Sequence, residues 1–370
     1  MAAKLADVAR HAGVSPATVS RVLNGNYPVA RATAERVHRA VAELHYVVNG
    51  NARALAASSS DLIGILVHDI ADPFFSVIAS SIQDTAAEGD RLAVVCNTGS
   101  STERELRYLK LLRKQRARCV VLTGGSVNDP GHRGALIDQI KEFTASGGHV
   151  VLCGRPPLTG PDEEPLPGVI TVDFDNRDGA RRLTAHLAAL GHRDIGYLTG
   201  PENRTTSQLR LDGHRQALAD AGLSEESCPV VVGNFDRESG RTGVGELLRL
   251  NPALTAVIAG NDIAALGVLA ELRSRGRAVP GDVSVAGFDD LPFSLDAVPT
   301  LTTVRIPLAE AGRTSGNYAL DPRRAPTGGV LPVRTELIVR DSTGPASDRG
   351  ATPAKTGRAR KRARPTREAG

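Results

Sequence analysis

The feature that most constrains the fold is an alternation of short apolar runs with amphipathic helical patterns from residue 61 onward. The first runs are "LIGILVHDI", "RLAVVCNT", "CVVLTGG" and "HVVLCGR", and each is followed by apolar residues at helical spacing. Strands that alternate with helices pair in parallel, because each crossover helix returns the chain to the same end of the sheet. The sequence therefore predicts an α/β fold with doubly wound parallel sheets.

A second series of apolar runs follows the proline-rich break "RPPLTGPDEEPLPG". It consists of "VITVDF", "IGYLTG", "VVVGNF", "TAVIAG" and "VSVAGFD". Two such series predict two similar lobes within residues 61–343, with a cleft between them. Loops at the carboxyl ends of the strands are expected to form a ligand site in that cleft.

Residues 1–46 read as three short helices that precede the strand–helix region. "LADVARHA" is followed by a turn at Gly13-Val14 and by "SPATVSRVLN". Ser15 is a good N-cap, and Pro16 fits the first helical position because its missing N–H would be unpaired there. The pattern predicts an all-α helix-turn-helix domain whose second helix enters a DNA major groove. The spacing alone also fits a plain helical hairpin.

Charge is distributed unevenly along the chain, whose total is +4. Residues 1–60 carry +4, residues 345–370 carry +6, and residues 61–344 therefore carry −6. Basic ends indicate contact with a polyanion. Residues 344–370 have almost no large apolar side chains and are expected to form a disordered basic tail, which either binds DNA or only keeps the chain soluble.

Several classes of protein are excluded by what the sequence lacks. There is no run of 18 apolar residues and no apolar segment suited to a signal peptide, so a cytoplasmic protein without a membrane partner is expected. The P-loop, nucleophile-elbow and dinucleotide-binding glycine motifs are absent, so no cofactor is expected. Asp289 and Asp290 are adjacent at a strand end, where successive side chains point to opposite faces, so no catalytic residue is assigned. The widely spaced cysteines predict reduced thiols and no metal site: Cys96, Cys119, Cys153 and Cys228.

The stretch "LADVARHAGVSPATVSRVLNG" and the following "ERVHRAVAELHYVVNGNARAL" closely resemble the lactose-repressor (LacI/GalR) family of bacterial transcriptional regulators. The resemblance continues through "IGILVHDIADPFFS", "RLDGHRQAL" and "TAVIAGNDIAALGVLAELRSRGRAVPGDVSVAGFDD", over roughly residues 4–343. It implies a helix-turn-helix domain at 1–46, a hinge helix or linker at 47–60, and a two-lobed effector-binding and dimerisation domain at 61–343.

The resemblance assigns DNA contacts to the second helix. Arg21 would read guanine through two hydrogen bonds, while Pro16 and Ala17 would only touch thymine methyl groups. Capping or phosphate contacts are implied for Ser15, Thr18, Ser20 and Asn24. A solvated charge on a helix face is the alternative interpretation of Arg21.

The segment "NGNARAL" resembles the hinge helix of that family, which folds on the operator. Leu55 would be the wedge inserted into the minor groove, and Ala52 would lie against the groove. Asn49 and Arg53 would contact the DNA backbone. Gly50 weakens the helix by about 1 kcal/mol relative to alanine, which favours a hinge that is unfolded away from DNA. A merely flexible linker is the alternative.

The lobes resemble periplasmic sugar-binding proteins, whose clefts stack sugars on aromatic rings and bind hydroxyls with planar polar groups. The effector-binding candidates are Phe74, Phe75, Arg155, Gln208, Phe235, Asn261 and Asp289. Strand-end phenylalanines often belong only to the core, and Asn261 can simply cap a helix. Gln208 stands where a ligand-clamping arginine is expected, five residues before the glycine of "RLDG". Gly154 stands before Arg155, where many members of the family carry aspartate. These two departures leave open a regulator that needs no small molecule or responds to a protein partner.

Together these features predict a dimeric regulator, a repressor rather than an activator, on a palindromic double-stranded operator with a central C-G step. A small-molecule effector, sugar-like in chemistry, is expected to modulate DNA affinity from the cleft. A transport-type sugar-binding protein is excluded, because it would need a signal peptide and has no use for residues 1–60.

Overall fold

The computed structural model of the protein describes residues 3–24, 28–46, 60–160 and 164–347. The helices are α1 (Leu5–Ala12), α2 (Pro16–Asn24), α3 (Arg31–Glu43), α4 (Pro73–Glu88), α5 (Thr102–Lys114), α6 (Pro130–Ala145), α7 (Asn176–Ala189), α8 (Thr205–Asp220), α9 (Arg237–Leu250), α10 (Asp262–Ser274) and α11 (Leu308–Leu320). The strands are β1 (Leu62–Val67), β2 (Leu92–Asn97), β3 (Cys119–Thr123), β4 (His149–Cys153), β5 (Val169–Phe174), β6 (Ile195–Thr199), β7 (Val230–Val232), β8 (Ala256–Ala259), β9 (Ser284–Ala286), β10 (Thr303–Arg305), β11 (Val330–Val333) and β12 (Glu336–Ile338).

Helices α1, α2 and α3 form a small unit, as their sequences predict. Gly13 ends α1 with φ of 64°, a left-handed conformation that glycine adopts without steric cost. The hydroxyl of Ser15 accepts the Thr18 N–H at 3.2 Å and so caps α2. The core of this unit consists of Val8, Ala9, Ala12, Val19, Val37 and Ala40.

The first lobe is built on a six-stranded parallel sheet in the order β11-β5-β4-β3-β1-β2. Neighbouring residues of one strand face different cores: Ile65 packs in one apolar cluster and Leu66 in another. Burial on both faces explains why these strands read as continuous apolar runs. The placement of "VITVDF" in the second lobe was wrong, because β5 pairs with β4 across the proline-rich break.

The second lobe carries a four-stranded parallel sheet in the order β7-β6-β8-β9. A two-stranded antiparallel ribbon of β10 and β12 lies beside it, and Asp289 bridges to Arg305 of β10. The lobe extends beyond residue 343, since Gly344 N–H donates to Ser284 Oγ at 3.1 Å and Ala346 N–H to Leu190 O at 3.0 Å. The proposed start of the tail at 344 is therefore a few residues too early.

Within the described residues the chain passes between the lobes at three crossovers: residues 174–176, 306–308 and 333–336. The first and third run side by side, because Asp175 N–H donates to Val333 O at 3.1 Å and Thr335 Oγ1 to Asp175 O at 3.3 Å. After the second crossover, α11 packs against α4 of the first lobe. These segments are therefore the connections about which one lobe can move relative to the other.

We expect Gly213→Ala to destabilise the second lobe by about 1–3 kcal/mol, because an added Cβ has no room. Helices α7 and α8 cross closely there, and a Cβ at Gly213 would lie 1.9 Å from the backbone oxygen of Arg177. Gly134 of α6 is the matched control, because a Cβ added there would meet no atom within 4 Å. Gly134→Ala should stabilise the protein by about 0.5–1 kcal/mol. Urea unfolding midpoints measure both, and an unchanged midpoint for Gly213→Ala would contradict the close packing.

Candidate functional site: an interlobe cavity and an exposed recognition helix

A cavity of about 620 Å³ lies between the lobes, where strands of both sheets end. The first lobe contributes loops that follow β1, β2 and β3, and the second contributes loops that follow β6, β7, β8 and β9. Parallel α/β sheets place ligand sites at the carboxyl ends of their strands. The position of the cavity is therefore the one expected for a ligand.

Aromatic rings enter the cavity from both lobes. Phe74 and Phe75 lie in the first turn of α4, where Asp72 caps the helix by accepting the Phe74 N–H at 2.9 Å. The two rings meet edge to face at 4.9 Å, and Phe75 is mostly buried in the first-lobe core. Phe235 enters from the second lobe. Its ring packs closely on Gly200, since a Cβ added to that glycine would lie 2.1 Å from the ring. All three predicted phenylalanines line the cavity.

Arg210 organises the polar end of the cavity, although it was not among the sequence candidates. Its Nε donates to Asn176 Oδ1 at 2.9 Å and its Nη1 to the Gly260 oxygen at 2.6 Å. Its Nη2 donates to Asp289 Oδ1 at 2.8 Å. The guanidinium carbon lies 3.7 Å from the centre of the Phe288 ring. Three of the five N–H groups of the guanidinium are thus engaged, and the arginine is held firmly beside the cavity.

The prediction that Gln208 lies in the cleft was wrong, and Arg210 takes the expected place of an arginine clamp. Gln208 does not line the cavity; its Nε2 donates to Glu202 O at 3.0 Å and its Oε1 accepts from Asn128 at 3.1 Å. The buried face of α8 includes Arg210 and Gly213, three residues apart. Helical periodicity therefore turns Arg210 inward and leaves Gln208 at the rim between the lobes.

Asp289 lies in the cavity wall and is 3% exposed. Burial raises the pKa of its carboxyl to about 7, against the opposing influence of the Arg210 guanidinium. Its φ of 111° is unusual for a residue other than glycine, and its N–H donates to Val304 O at 2.7 Å. A fixed carboxylate here can accept hydrogen bonds from ligand hydroxyls.

Asn261 both caps a helix and lines the cavity. Its Oδ1 accepts the Ala264 N–H at the start of α10, at 2.9 Å, as the alternative interpretation predicted. Its Nδ2 donates to the backbone oxygen of Phe235 at 3.0 Å. Asn261 therefore also fixes the loop that carries the aromatic ring of the second lobe.

The prediction that Arg155 lies in the cleft was wrong. Arg155 is 2% exposed and is enclosed in the first lobe. Its Nη1 and Nη2 donate to the two oxygens of Glu105 at 3.0 and 2.7 Å. A bidentate pair of this kind holds the guanidinium away from the cavity, of which it is not a lining residue.

Several further polar residues of the cavity were missed, among them His68 and Arg204. The Nη1 of Arg204 lies 3.3 Å from His68 Nε2, and its Nη2 donates to Ser100 O at 3.3 Å. Burial and the nearby Arg204 and Arg155 guanidinium groups lower the pKa of His68 to about 3. The imidazole is therefore neutral and can accept from Arg204. Both residues follow strands, β1 and β6, and that position is the signal that could have identified them.

The second helix of the N-terminal unit presents a polar outer surface. Pro16, Ala17 and Arg21 are exposed on α2, while Val19 beneath them is fully buried. Ser15, Thr18 and Ser20 lie around the same first turns, and Asn24 is the last residue of the helix. The predicted hinge residues lie outside the described residues: Asn49, Ala52, Arg53 and Leu55.

The described parts of the chain hold neither a cluster of metal-ligating side chains nor a membrane-spanning helix. Nowhere in them are three or more His, Cys, Asp or Glu side chains placed to hold a metal ion. No helix in those parts has the length and apolar character needed to cross a bilayer.

Comparison with known proteins identifies both parts of the chain. Residues 4–49 match "Bacterial regulatory proteins, lacI family" and residues 184–343 match "Periplasmic binding protein-like domain". The transcriptional regulator GalS of Salmonella typhimurium is 35% identical over 317 residues, which are 85% of this chain and 88% of that protein. The regulator CelR of Thermobifida fusca is 34% identical over 344 residues, covering 90% of this chain and 96% of that protein.

Solved structures agree with this assignment over almost the whole chain. A CelR–cellobiose complex has a TM-score of 0.66 at 33% identity and covers 92% of this chain and 99% of that one. The lac repressor dimer bound to operator and an anti-inducer has a TM-score of 0.77 at 27% identity and covers 93% of this chain and 100% of that one. The chain is a member of the lacI family of bacterial transcriptional regulators, with a helix-turn-helix domain and a two-lobed periplasmic-binding-protein-like domain.

Proposed function

We propose that the protein is a dimeric, sequence-specific repressor whose affinity for a palindromic operator is set by a small metabolite in the interlobe cavity. The observation that carries this proposal is one chain that holds both an outward-facing α2 and a cavity with a rigid Arg210–Asp289 pair. Relatives of the same architecture support it, since the CelR structure is a complex with cellobiose and the lac repressor structure a complex with operator.

The chemistry of the cavity favours a polyhydroxylated effector such as a sugar. Phe74 and Phe235 offer apolar ring surface from opposite lobes, and Asp289 offers a carboxylate acceptor. Sugars present both apolar faces and hydroxyl donors, so they match this combination. The alternative of a regulator without a small-molecule effector rested on Gln208 and Gly154, and its argument from Gln208 is weakened because Arg210 places an arginine beside the cavity.

For DNA we propose that α2 reads the major groove through Arg21, with Pro16 and Ala17 against thymine methyl groups. Phosphate contacts or capping are assigned to Ser15, Thr18, Ser20 and Asn24. The hinge assignments stand on the resemblance, with Leu55 as the wedge and with supporting contacts from Asn49, Ala52 and Arg53.

An apolar sheet edge supports the homodimer. Strand β2 is the last strand of the first-lobe sheet, and Leu92 and Val94 on it are 66% and 39% exposed. Exposed apolar residues on an edge strand favour pairing with another chain. A two-fold pair of chains would place two α2 helices on successive major grooves about one helical turn apart.

We expect Arg21→Ala to relax base preference at one position in each half of the operator, at a cost of about 1–3 kcal/mol. Selection of bound duplexes from a random pool by the full chain gives the preferred sequence for the wild type and the variant. Arg10→Ala is the matched control, because Arg10 is also exposed but lies on α1 and pairs with Asp7. The control should recover the wild-type sequence. An unchanged preference in Arg21→Ala would exclude Arg21 as a base reader, and a wild type without any preferred sequence would contradict the proposed function.

A further inference from the structure

Asp289 and Asp290 form an unusual pair at the end of β9. Both have positive φ, 111° and 55°, and neither is glycine. Such conformations cost about 1–3 kcal/mol each and persist only where the surrounding structure holds them. Asp289 faces Arg210 and the cavity, whereas Asp290 does not line the cavity. The two adjacent carboxylates therefore lie in different environments, one at the cavity and one among other side chains.

Asp290 is clamped between two arginines on the side away from the ligand. Its Oδ2 accepts from Arg305 Nε at 2.7 Å, and its Oδ1 accepts from Arg340 Nη2 at 2.6 Å. The side chains of Asp290 and Arg340 are only 8% and 9% exposed. Arg340 is anchored further by its Nη1, which donates to Leu301 O at 2.7 Å. A buried charge of this kind is costly to disturb, because the buried guanidinium of Arg340 would lose its carboxylate partner.

The two arginines flank segments that connect the lobes. Arg305 ends β10, directly before the crossover at 306–308, and Arg340 follows β12, just after the crossover at 333–336. Arg210 links the other carboxylate, Asp289, to the crossover at 174–176, because it donates hydrogen bonds to both Asp289 and Asn176. Hydrogen bonds of 2.6–2.9 Å thus link the Asp289–Asp290 pair, through Arg210, to Asn176 of the first crossover, and directly to the arginines that flank the other two crossovers.

We propose that Asp290 is a positioning residue that couples the cavity carboxylate of Asp289 to the three crossovers. The proposal rests on the proposed effector function and names the route by which an occupied cavity would act on the lobe connections. A ligand that hydrogen-bonds to Asp289 acts on the segment formed by residues 289 and 290. That segment cannot move without also moving Arg305 and Arg340. Asp290 has this role without touching the ligand.

Amide hydrogen exchange of the full chain tests the coupling without DNA or effector. In Asp290→Asn, amides of residues 303–308, 334–340 and 175–180 should exchange about tenfold faster than in the wild type. The decisive segment is 175–180, because the side-chain hydrogen bonds of Asp290 go to Arg305 and Arg340 and not to that segment. Glu105→Gln is the matched control, since Glu105 is a buried carboxylate held by Arg155 within the first lobe. In that control, faster exchange should be confined to the first lobe.

Faster exchange at 305 and 340 alone, with 175–180 at the wild-type rate, would overturn the coupling. A uniform rise throughout the chain would also overturn it, because that is the signature of general destabilisation. Arg305→Gln is a milder variant if Asp290→Asn does not fold: Arg305 is 45% exposed, and Arg340 would still hold Asp290. It should give a smaller rise in the same three segments. The exchange experiment does not measure operator binding. If the coupling is overturned, the proposed function therefore still depends only on the duplex-selection experiment.

Discussion

Arg210→Met is expected to destabilise the protein by about 3–5 kcal/mol and to abolish effector binding. The substitution removes the donors to Asn176 Oδ1, Gly260 O and Asp289 Oδ1 while roughly keeping side-chain volume. Breaking a buried ion pair leaves the other charge uncompensated, and that loss dominates the effect. Urea unfolding midpoints give the stability. Thermal shifts with cellobiose, D-galactose, D-ribose and a set of nucleosides give ligand binding.

Arg181→Met is the control for Arg210→Met, because Arg181 pairs with Asp178 on the surface of α7. Its midpoint and its ligand-induced shifts should stay close to those of the wild type. A wild-type midpoint in Arg210→Met, or a full thermal shift with a ligand that stabilises the wild type, would show that Arg210 is not the clamp.

Leu55→Ala is expected to lower affinity for the selected operator about 100-fold while leaving binding to random duplex nearly intact. The resemblance makes Leu55 the side chain that opens the central base step. The contacts with DNA that this opening permits contribute a few kcal/mol to specific binding. Non-specific binding depends on phosphate neutralisation, which a leucine does not affect. Titration of both duplexes at several salt concentrations measures the specific affinity for the operator and the non-specific affinity for random duplex. Equal loss for operator and random duplex would exclude the wedge.

The N-terminal unit could be predicted closely, because its signals are local. Ser15, Pro16 and Gly13 mark helix boundaries through chemistry that acts within a few residues, and α1 and α2 begin and end where those residues indicate. The strands of the lobes are likewise visible as apolar runs. Strands β10, β11 and β12 were missed, because each contains a charged residue or a proline that interrupts the apolar run by which the other strands were recognised.

The assignment of strands to lobes depends on pairings that the sequence does not display. Strand β5 looked like the start of a second domain, since a proline-rich segment precedes it, yet it pairs with β4. The break lies between two neighbouring strands of one sheet. The chain changes lobe only after Phe174, where nothing in the composition marks the change.

The cavity residues were predicted in part. Phe74, Phe75, Phe235, Asn261 and Asp289 all line the cavity, because each follows a strand or begins a helix at its edge. Arg210 was missed although helical periodicity offered the signal, since it shares the buried face of α8 with Gly213. The burial of Arg155 could not be predicted, because its partner Glu105 lies fifty residues away in the sequence.

The central claim is that an occupied interlobe cavity changes how two α2 helices hold an inverted repeat. The most direct measurement is the affinity of the full chain for its selected inverted repeat and for a scrambled duplex of equal length and composition. Each titration is made with and without the metabolite that gives the largest thermal shift. The account predicts preference for the inverted repeat and a change of at least about fivefold in that affinity when the metabolite is present. Equal affinity for the two duplexes, or an inverted-repeat affinity that the metabolite leaves unaltered, would contradict it.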